Sequence, residues 1–125
     1  MRPILTLAAM LAAVLPSNAW AASDWVLAAS AQDGTSTVYV DRNSIRRTGA
    51  VVRYWRRSDF VNDPNGKTQS IALSEANCTT GQARILQLTQ YYSDGRSYGG
   101  PGSGPWFYAT PDTLSEGLQN FVCGR

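Results

Sequence analysis

The sequence predicts an α+β fold in which an antiparallel β-sheet of about five to six strands carries a C-terminal α-helix packed on one face. Runs rich in β-branched and aromatic residues alternate with clusters of glycine, proline, asparagine and aspartate, which is typical of strands joined by turns. Near the C-terminus the apolar residues recur with helical spacing instead. Two cysteines, one in a predicted strand and one at the end of the helix, are predicted to tie the two together.

The N-terminus has the pattern of a secretory signal peptide. Arg2 precedes an apolar run from Ile4 to Leu15, and Ala19 and Ala21 supply the small residues of a cleavage site. The apolar run is shorter than the roughly 20 residues that a permanent membrane span requires. We therefore predict cleavage after Ala21, leaving 22–125 as one exported domain without a transmembrane anchor; the alternative is a buried N-terminal helix.

The charge of the exported part limits its partners. Removing Arg2 from 11 basic residues leaves 10 against 9 acidic ones, so the net charge falls from +2 to +1. A nearly neutral domain is not expected to bind nucleic acid through bulk charge. About a hundred residues suffice for a single hydrophobic core, but a domain of this size gains much from a covalent cross-link.

The cysteines predict that cross-link. Cys78 and Cys123 form an even pair, which in an oxidising compartment is expected to be a disulfide. A zinc site is the alternative, but two cysteines in a chain without histidine do not supply the usual ligands. We expect neither a metal nor another cofactor. The Asn77-Cys78-Thr79 sequon is interpreted as coincidental in a chain with this type of export signal.

Five strands are predicted in the exported part, at 25–31, 36–41, 50–60, 67–78 and 82–92. Turn-forming pairs and runs, such as Asp-Gly at 33–34, separate them. The last strand has apolar residues on both faces, which predicts a position inside the sheet. Between 70 and 78 the side chains on one face are all small, which predicts the close approach of the element that carries Cys123.

The segment 38–57 is the most patterned part of the chain and is predicted to form strand, tight turn, strand. Asp41, Asn43 and Ser44 have side chains that cap turns by hydrogen bonding to the nearby backbone, and Ile45 completes the turn. These four residues are interpreted as architectural.

The stretch 93–105 is predicted to be a flexible loop without regular structure, because glycine, serine and proline dominate it. It lacks the Gly-Lys-Ser/Thr ending of a phosphate-binding loop. Tyr98 within it and Trp106 after it are candidate contact residues, as expected of an envelope interaction or inhibitor module whose loop inserts into a partner. The alternative is an ordinary mobile connection.

The C-terminal helix is predicted to start with Thr110 as N-cap and Pro111 in its first position. It is expected to end near residue 122, with Gly124 as the stop signal. Its apolar stripe, at positions i, i+4, i+7 and i+8, consists of Leu114, Leu118, Phe121 and Val122.

Several segments resemble the bacterial family of surface-adhesin protein E. They are Y-V-D-R-N-S-I-R-R, V-V-R-Y-W, I-L-Q-L-T-Q-Y-Y and a closing P-D-T-L to V-C, spread over nearly all of 25–123. The most specific part is Asp41, Ser44, Ile45 and Trp55 in register with the two cysteines.

The resemblance implies an antiparallel sheet with a C-terminal helix tethered by a disulfide. The adhesin binds host matrix and serum proteins and can form a homodimer, and the resemblance implies such a role here only if the protein reaches the cell surface. The adhesin is an outer-membrane lipoprotein, whereas this chain has no cysteine at the predicted cleavage point. Location in the periplasm, secretion and display at the cell surface all stay open.

Arg53, Trp55 and Arg57 alternate on one side of their strand and form a candidate binding surface. Arginine and tryptophan are enriched in binding hot spots, so the expected partner is an acidic protein or a polyanion such as an acidic glycan. The alternative is a solvated strand face whose charges are balanced by aspartates such as Asp41 and Asp59.

A catalytic function is not expected. The chain has no histidine to act as a base, and both cysteines are predicted to be oxidised. A carboxylate pair, either Asp41 with Asp59 or Asp94 with Glu116, is the weakly supported alternative as a glycoside hydrolase. The sequence therefore predicts a non-enzymatic, exported binding protein.

Overall fold

The computed structural model describes residues 22–102 and 104–125, so the predicted signal peptide and its cleavage site lie outside the described residues. The strands are β1 (Trp25–Ser30), β2 (Ser36–Asp41), β3 (Arg46–Thr48), β4 (Val51–Phe60), β5 (Lys67–Asn77), β6 (Gln82–Tyr92), β7 (Ser97–Pro101) and β8 (Phe107–Tyr108). A 3-10 helix (Arg42–Ser44) joins β2 to β3, and the helix α1 spans Leu114–Cys123. In the part of the chain described here, no helix has the length and apolarity to cross a membrane.

Six strands follow one another in the order β1-β2-β4-β5-β6-β7, and each neighbouring pair is antiparallel. Two short strands are added to this path, since β3 pairs with β4 and β8 pairs with β6. The sheet curls, and α1 packs against it, mainly over β1 and β5. The predicted α+β class is confirmed, and β6 lies inside the sheet as its two-sided apolar pattern indicated.

The core lies between α1 and the face of the sheet that we call the inner face. Alternating residues of β2 and β4 point into it, including Val40, Val52 and Tyr54, which are almost completely buried. The apolar stripe predicted for the helix packs against this cluster through Leu114, Leu118, Phe121 and Val122. The small residues of β5 on the inner face, Ser70, Ala72, Ser74 and Ala76, are buried as well.

The end of α1 is tied to the sheet by the predicted disulfide between Cys78 and Cys123, which is confirmed. Gly117 lies against β1, where a Cβ atom at that position would be 3.2 Å from the Cβ of Ala29. The helix ends at Cys123, and Gly124 closes it in the left-handed conformation at φ 73°. The missing side chain at 117 therefore lets the helix approach β1 closely while its end is held on β5.

The predicted start of the helix is wrong by one turn. The N-cap is Thr113 rather than Thr110, and the helix begins at Leu114. Asp112 has a positive φ of 59°, which is incompatible with a right-handed helix. The Thr113 hydroxyl donates a hydrogen bond to the Thr110 carbonyl at 2.6 Å, so residues 110–113 form a turn before the helix.

The prediction of an irregular loop at 93–105 is also wrong. Within it β7 pairs with β6 through five residues, from Ser97 opposite Tyr91 to Pro101 opposite Gln87. A turn at Asp94 starts this hairpin, and the Asp94 carboxylate accepts a hydrogen bond from the Arg96 backbone N–H. Pairing with β7 gives hydrogen-bond partners to backbone N–H and C=O groups of β6. This gain in free energy exceeds the cost of placing glycines, which have a low strand propensity, in a strand.

The predicted tight turn between the second and third strands contains more structure than expected. The Asp41 carboxylate caps the 3-10 helix by accepting from Asn43 N–H at 3.1 Å, and it accepts from Asp24 N–H at 2.9 Å. The Ser44 hydroxyl donates to the Asp41 carbonyl at 2.6 Å and accepts from Trp55 N–H at 2.9 Å. The Ile45 side chain packs on the core. These contacts join β1, β2 and β4, which supports the architectural interpretation.

Replacing Ser44→Ala removes the acceptor of the Trp55 N–H and is expected to lower the free energy of unfolding by about 1–2 kcal/mol. Urea denaturation followed by circular dichroism measures the change. Ser97→Ala, at an exposed position on β7, is the matched control and should leave stability within about 0.5 kcal/mol of the parent. Equal stabilities of the two variants would contradict the bridging role of Ser44.

Removing the disulfide by the double substitution Cys78→Ala and Cys123→Ala is expected to lower the free energy of unfolding by about 4 kcal/mol. The bond closes a loop with a sequence separation of 45, and opening it restores chain entropy to the unfolded state. Urea midpoints and m-values of the oxidised parent and of the double variant measure the effect. A loss below about 1 kcal/mol would show that α1 is held by packing alone.

The protein is expected to lose stability as the pH rises from about 10 to about 12. Burial raises the pKa of Tyr54 to about 12, whereas an unfolded tyrosine titrates near pH 10. Below pH 10 the hydroxyl is protonated in both states and its contribution is complete. Between the two values only the unfolded state loses the proton, so the free energy of unfolding falls by about 3 kcal/mol. Tyr54→Phe should lack this part of the fall, and an identical pH dependence would refute it.

Candidate functional site

The arginine and tryptophan side chains of the predicted binding surface lie on the face of the sheet opposite the helix. We call this the outer face. On β4, Val52 and Tyr54 point toward α1, so the alternating Arg53, Trp55 and Arg57 point away from it. The register adds neighbours from β2 and β5, because side chains of paired residues project from the same face. The cross-strand pairs are Arg53 with Glu75, Trp55 with Leu73, and Arg57 with both Tyr39 and Ile71.

A groove of about 750 Å³ runs along this face. Its lining contains two of the predicted binding residues together with residues of the turn after β2 and of β1 and β5. The lining residues are Ser23, Trp25, Asp41, Asn43, Ser44, Arg46, Arg53, Trp55, Ile71 and Leu73. Trp55, Ile71 and Leu73 are each half-buried, so apolar surface is accessible beside the charged groups. The groove is wide and open, which suits an extended partner better than an enclosed small molecule.

Arg57 contributes little free charge to the outer face. Its guanidinium lies 4.6 Å from the ring centroid of Tyr39 and 5.2 Å from that of Trp25. It also pairs with the Asp59 carboxylate at 3.2 Å. The stacked rings and the carboxylate fix the side chain and neutralise it. Arg57 thus lies on the predicted face, where its charge is paired with Asp59 and its guanidinium contacts two aromatic rings.

Arg53 belongs to a group of charges centred on Glu75. The Glu75 carboxylate is almost completely buried, with one oxygen 3.3 Å from Arg53 and the other 2.6 Å from Arg84. Trp106 joins this group, because the Arg84 guanidinium stacks on its indole ring at 4.5 Å. Two arginines share one carboxylate, so the group carries one excess positive charge, and the Arg53 side chain is 54% exposed.

Arg46 adds a second positive charge at the same end of the face. It lies directly opposite Arg53 in the β3–β4 register. Its guanidinium donates to the carbonyls of Asn43 and Ile45, both at 2.9 Å. Carbonyl contacts leave the charge uncompensated, and in the described part of the chain Arg46 has no ion pair. Arg47, its neighbour, points to the other side of β3.

Tyr98 does not join this surface. It pairs with Gln90 in the row of residues that faces the helix side of the sheet, and it lies on the edge strand β7. Its exposed ring contacts the ring of Tyr92 edge-on, at 5.6 Å between centroids. Arg96 lies near the same rings and pairs with Asp94. The structure therefore separates the two predicted loop contacts, since Trp106 is next to Arg84 and Tyr98 is on the opposite face.

The carboxylates proposed as hydrolytic pairs have other partners. The Asp41 carboxylate accepts backbone hydrogen bonds, and that of Asp59 accepts from Arg57 and Gln69. In the β6–β7 turn, the hydrogen bond from the Arg96 backbone N–H lowers the pKa of Asp94. A general acid requires a raised pKa instead. Glu116 lies in the first turn of α1.

Sequence reasoning missed Trp25, Tyr39, Arg46, Glu75 and Arg84 as members of the outer face. Local patterns do not reveal cross-strand neighbours, because these depend on register. The pairing of Arg57 with Asp59 had a local signal, since residues i and i+2 of a strand share a face. The pairing of Glu75 with two arginines on neighbouring strands had none.

The comparisons with known proteins agree with this architecture. The family model described as surface-adhesin protein E matches residues 25–124. No curated protein and no solved structure matches the chain. The match begins at the first residue of β1 and ends one residue after α1, so it includes the whole sheet, the 3-10 turn and both cysteines. The chain belongs to the surface-adhesin protein E family.

Proposed function

We propose that the protein is an exported, non-enzymatic binding protein that engages an acidic protein or polyanionic partner through the outer face of its sheet. Membership of an adhesin family supports a binding function. The proposed contact surface consists of Arg46, Arg53 and Trp55 with the neighbouring Trp25 and Ile71.

The observation that carries the proposal is the uneven charge on an accessible aromatic face. The charge of Arg46 has no carboxylate partner among the described residues, and Arg53 with Arg84 exceeds Glu75 by one charge. These charges border Trp55, whose ring is half-buried in the groove. A partner that supplies carboxylate or sulfate groups would pair with the arginines while it covers the ring, and arginine and tryptophan contribute strongly to such contacts.

The location of the protein decides which partner it meets. At the cell surface an exported adhesin-like protein meets a host matrix component, and in the periplasm it meets an envelope component. Fractionation of cells separates these locations.

A homodimer is compatible with the position of β1 at the edge of the sheet, where Leu27 is 54% exposed. Sedimentation equilibrium measures that state. The alternative of an envelope interaction or inhibitor module stays a prediction, with either Tyr98 or Trp106 as its contact residue.

Neutralising the outer face with Arg46→Gln and Arg53→Gln is expected to lower the salt concentration at which the protein elutes from a heparin column. The variant has two positive charges fewer on one face, so the number of ion contacts with the polymer falls, and with it the salt dependence. The glutamines keep side-chain hydrogen bonding at both positions. Thermal unfolding checks that the fold is retained.

The matched control is Arg47→Gln, which removes the same charge from β3 on the opposite side. Its elution should shift much less than that of Arg46→Gln alone. Equal shifts for Arg46→Gln and Arg47→Gln would show retention by net charge and not by this face. Trp55→Ala should weaken retention further, and an unchanged elution of the Arg46 and Arg53 variant would reject the proposal.

A further inference from the structure

A second cavity, of about 360 Å³, lies on the inner face beside the helix. It exists because α1 is short. Its 10 residues extend about 15 Å, whereas the 11 residues of β5 extend about 35 Å. Where the helix does not cover the sheet, the small side chains of Ser58, Ser70 and Ser74 leave space above the strands. The volume falls at the lower end of the roughly 300–1,000 Å³ that is typical of small-molecule sites.

Arg56 lines this cavity from the side of the sheet. It extends from β4 between Val40 and Ala72, its paired neighbours, both of which are completely buried. Its Nε donates to the Ser74 hydroxyl and its Nη1 to the Ser58 hydroxyl, both at 3.3 Å. Burial lowers the pKa of Arg56 from its usual value, but a guanidinium stays protonated at neutral pH.

Within 22–102 and 104–125, the polar partners found for the Arg56 guanidinium are hydroxyl groups. Among the described residues, no carboxylate lies within ion-pair distance of its guanidinium. The described lining contains no aspartate or glutamate, while it contains two further cations: Lys67, whose ammonium stacks on the Phe60 ring at 4.6 Å, and Arg84, which pairs with Glu75. Arg56 is half-buried, and partly removing a charge from water with hydroxyl partners alone has a free-energy cost. An anionic ligand group would supply the missing partner.

The cavity also has an apolar part, beside polar side chains such as Gln90 and Gln119. Beyond Arg56 the wall is formed by Leu88 of β6, Phe107 of β8, and Leu114 and Leu118 of α1. The cavity therefore offers a cationic centre with hydroxyl donors on one side and an aliphatic and aromatic wall on the other. This division matches a molecule with an anionic head and a hydrocarbon chain.

We propose that the inner-face cavity binds a small amphipathic anion, in which a carboxylate or phosphate head pairs with Arg56 and a medium-length acyl or alkyl chain packs against Leu88, Phe107 and Leu118. The site is on the opposite face from the proposed contact surface for a polyanionic partner and does not depend on it. A bound chain would fill the space between β6 and α1 and stabilise the fold by mass action.

Isothermal titration calorimetry of the exported domain with octanoate, octan-1-ol and acetate tests the two halves of the ligand. Octanoate should bind at one site per chain, and about tenfold or more tighter than the neutral alcohol or the short anion. Octyl phosphate distinguishes the head groups, because tighter binding than octanoate assigns the head to phosphate and weaker binding assigns it to carboxylate. A rise in the thermal midpoint with octanoate provides a second readout.

Two variants connect the binding to this cavity. Arg56→Gln should lower octanoate affinity about tenfold or more and remove the preference over octan-1-ol. Leu88→Trp should fill the apolar part of the cavity and block the binding of octanoate and of octan-1-ol. This variant provides an independent test if Arg56→Gln does not fold. Arg47→Gln, exposed and outside the cavity, is the charge-matched control and should bind like the parent. No octanoate binding by the parent, equal binding of octan-1-ol, or unchanged binding by both cavity variants would overturn the proposal.

Discussion

The contact on which the rest of the structure depends is the packing of α1 against one face of a curled sheet. Leu118 and Val122 bury the helix on a wall of valines and Tyr54, and the Cys78–Cys123 bond fixes its end. This choice of face divides β4 into two sets of side chains. Every second residue points to the side of the helix, where Val52 and Tyr54 join the core. The residues between them, including Arg53 and Trp55, remain on the side that the helix leaves accessible.

The charges on the outer face show how register changes the meaning of a basic pattern. Strand alternation already separates Arg56 from Arg53 and Arg57, but the partners of the three arginines depend on the register. Arg57 is paired and stacked, Arg53 shares Glu75 with Arg84, and Arg56 points into the inner cavity. On the outer face, the excess positive charge is therefore located near Arg53 and its cross-strand neighbour Arg46.

The family relationship and the geometry describe different aspects of function. The match to surface-adhesin protein E indicates the architecture and a general binding function. The side chains indicate which groups would face a partner. The outer face combines aromatic rings with unbalanced arginines, while the described inner cavity has Arg56 among serine hydroxyls and an apolar wall that includes Leu88 and Leu118. One small domain thus has two chemically different concave surfaces, separated by the thickness of the sheet.

The sequence by itself determined the features that depend on near neighbours. Strand alternation, the apolar stripe of the helix, the capping pattern from Asp41 to Ile45 and the pair of cysteines all indicated the observed fold, because each arises from local periodicity or from a scarce residue type. Tertiary structure decided the start of α1, the pairing of the glycine-rich β7 and the partners of each arginine. These depend on which backbone groups and charges the register brings together, and residues such as Glu75 and Arg84 meet only when the sheet has formed.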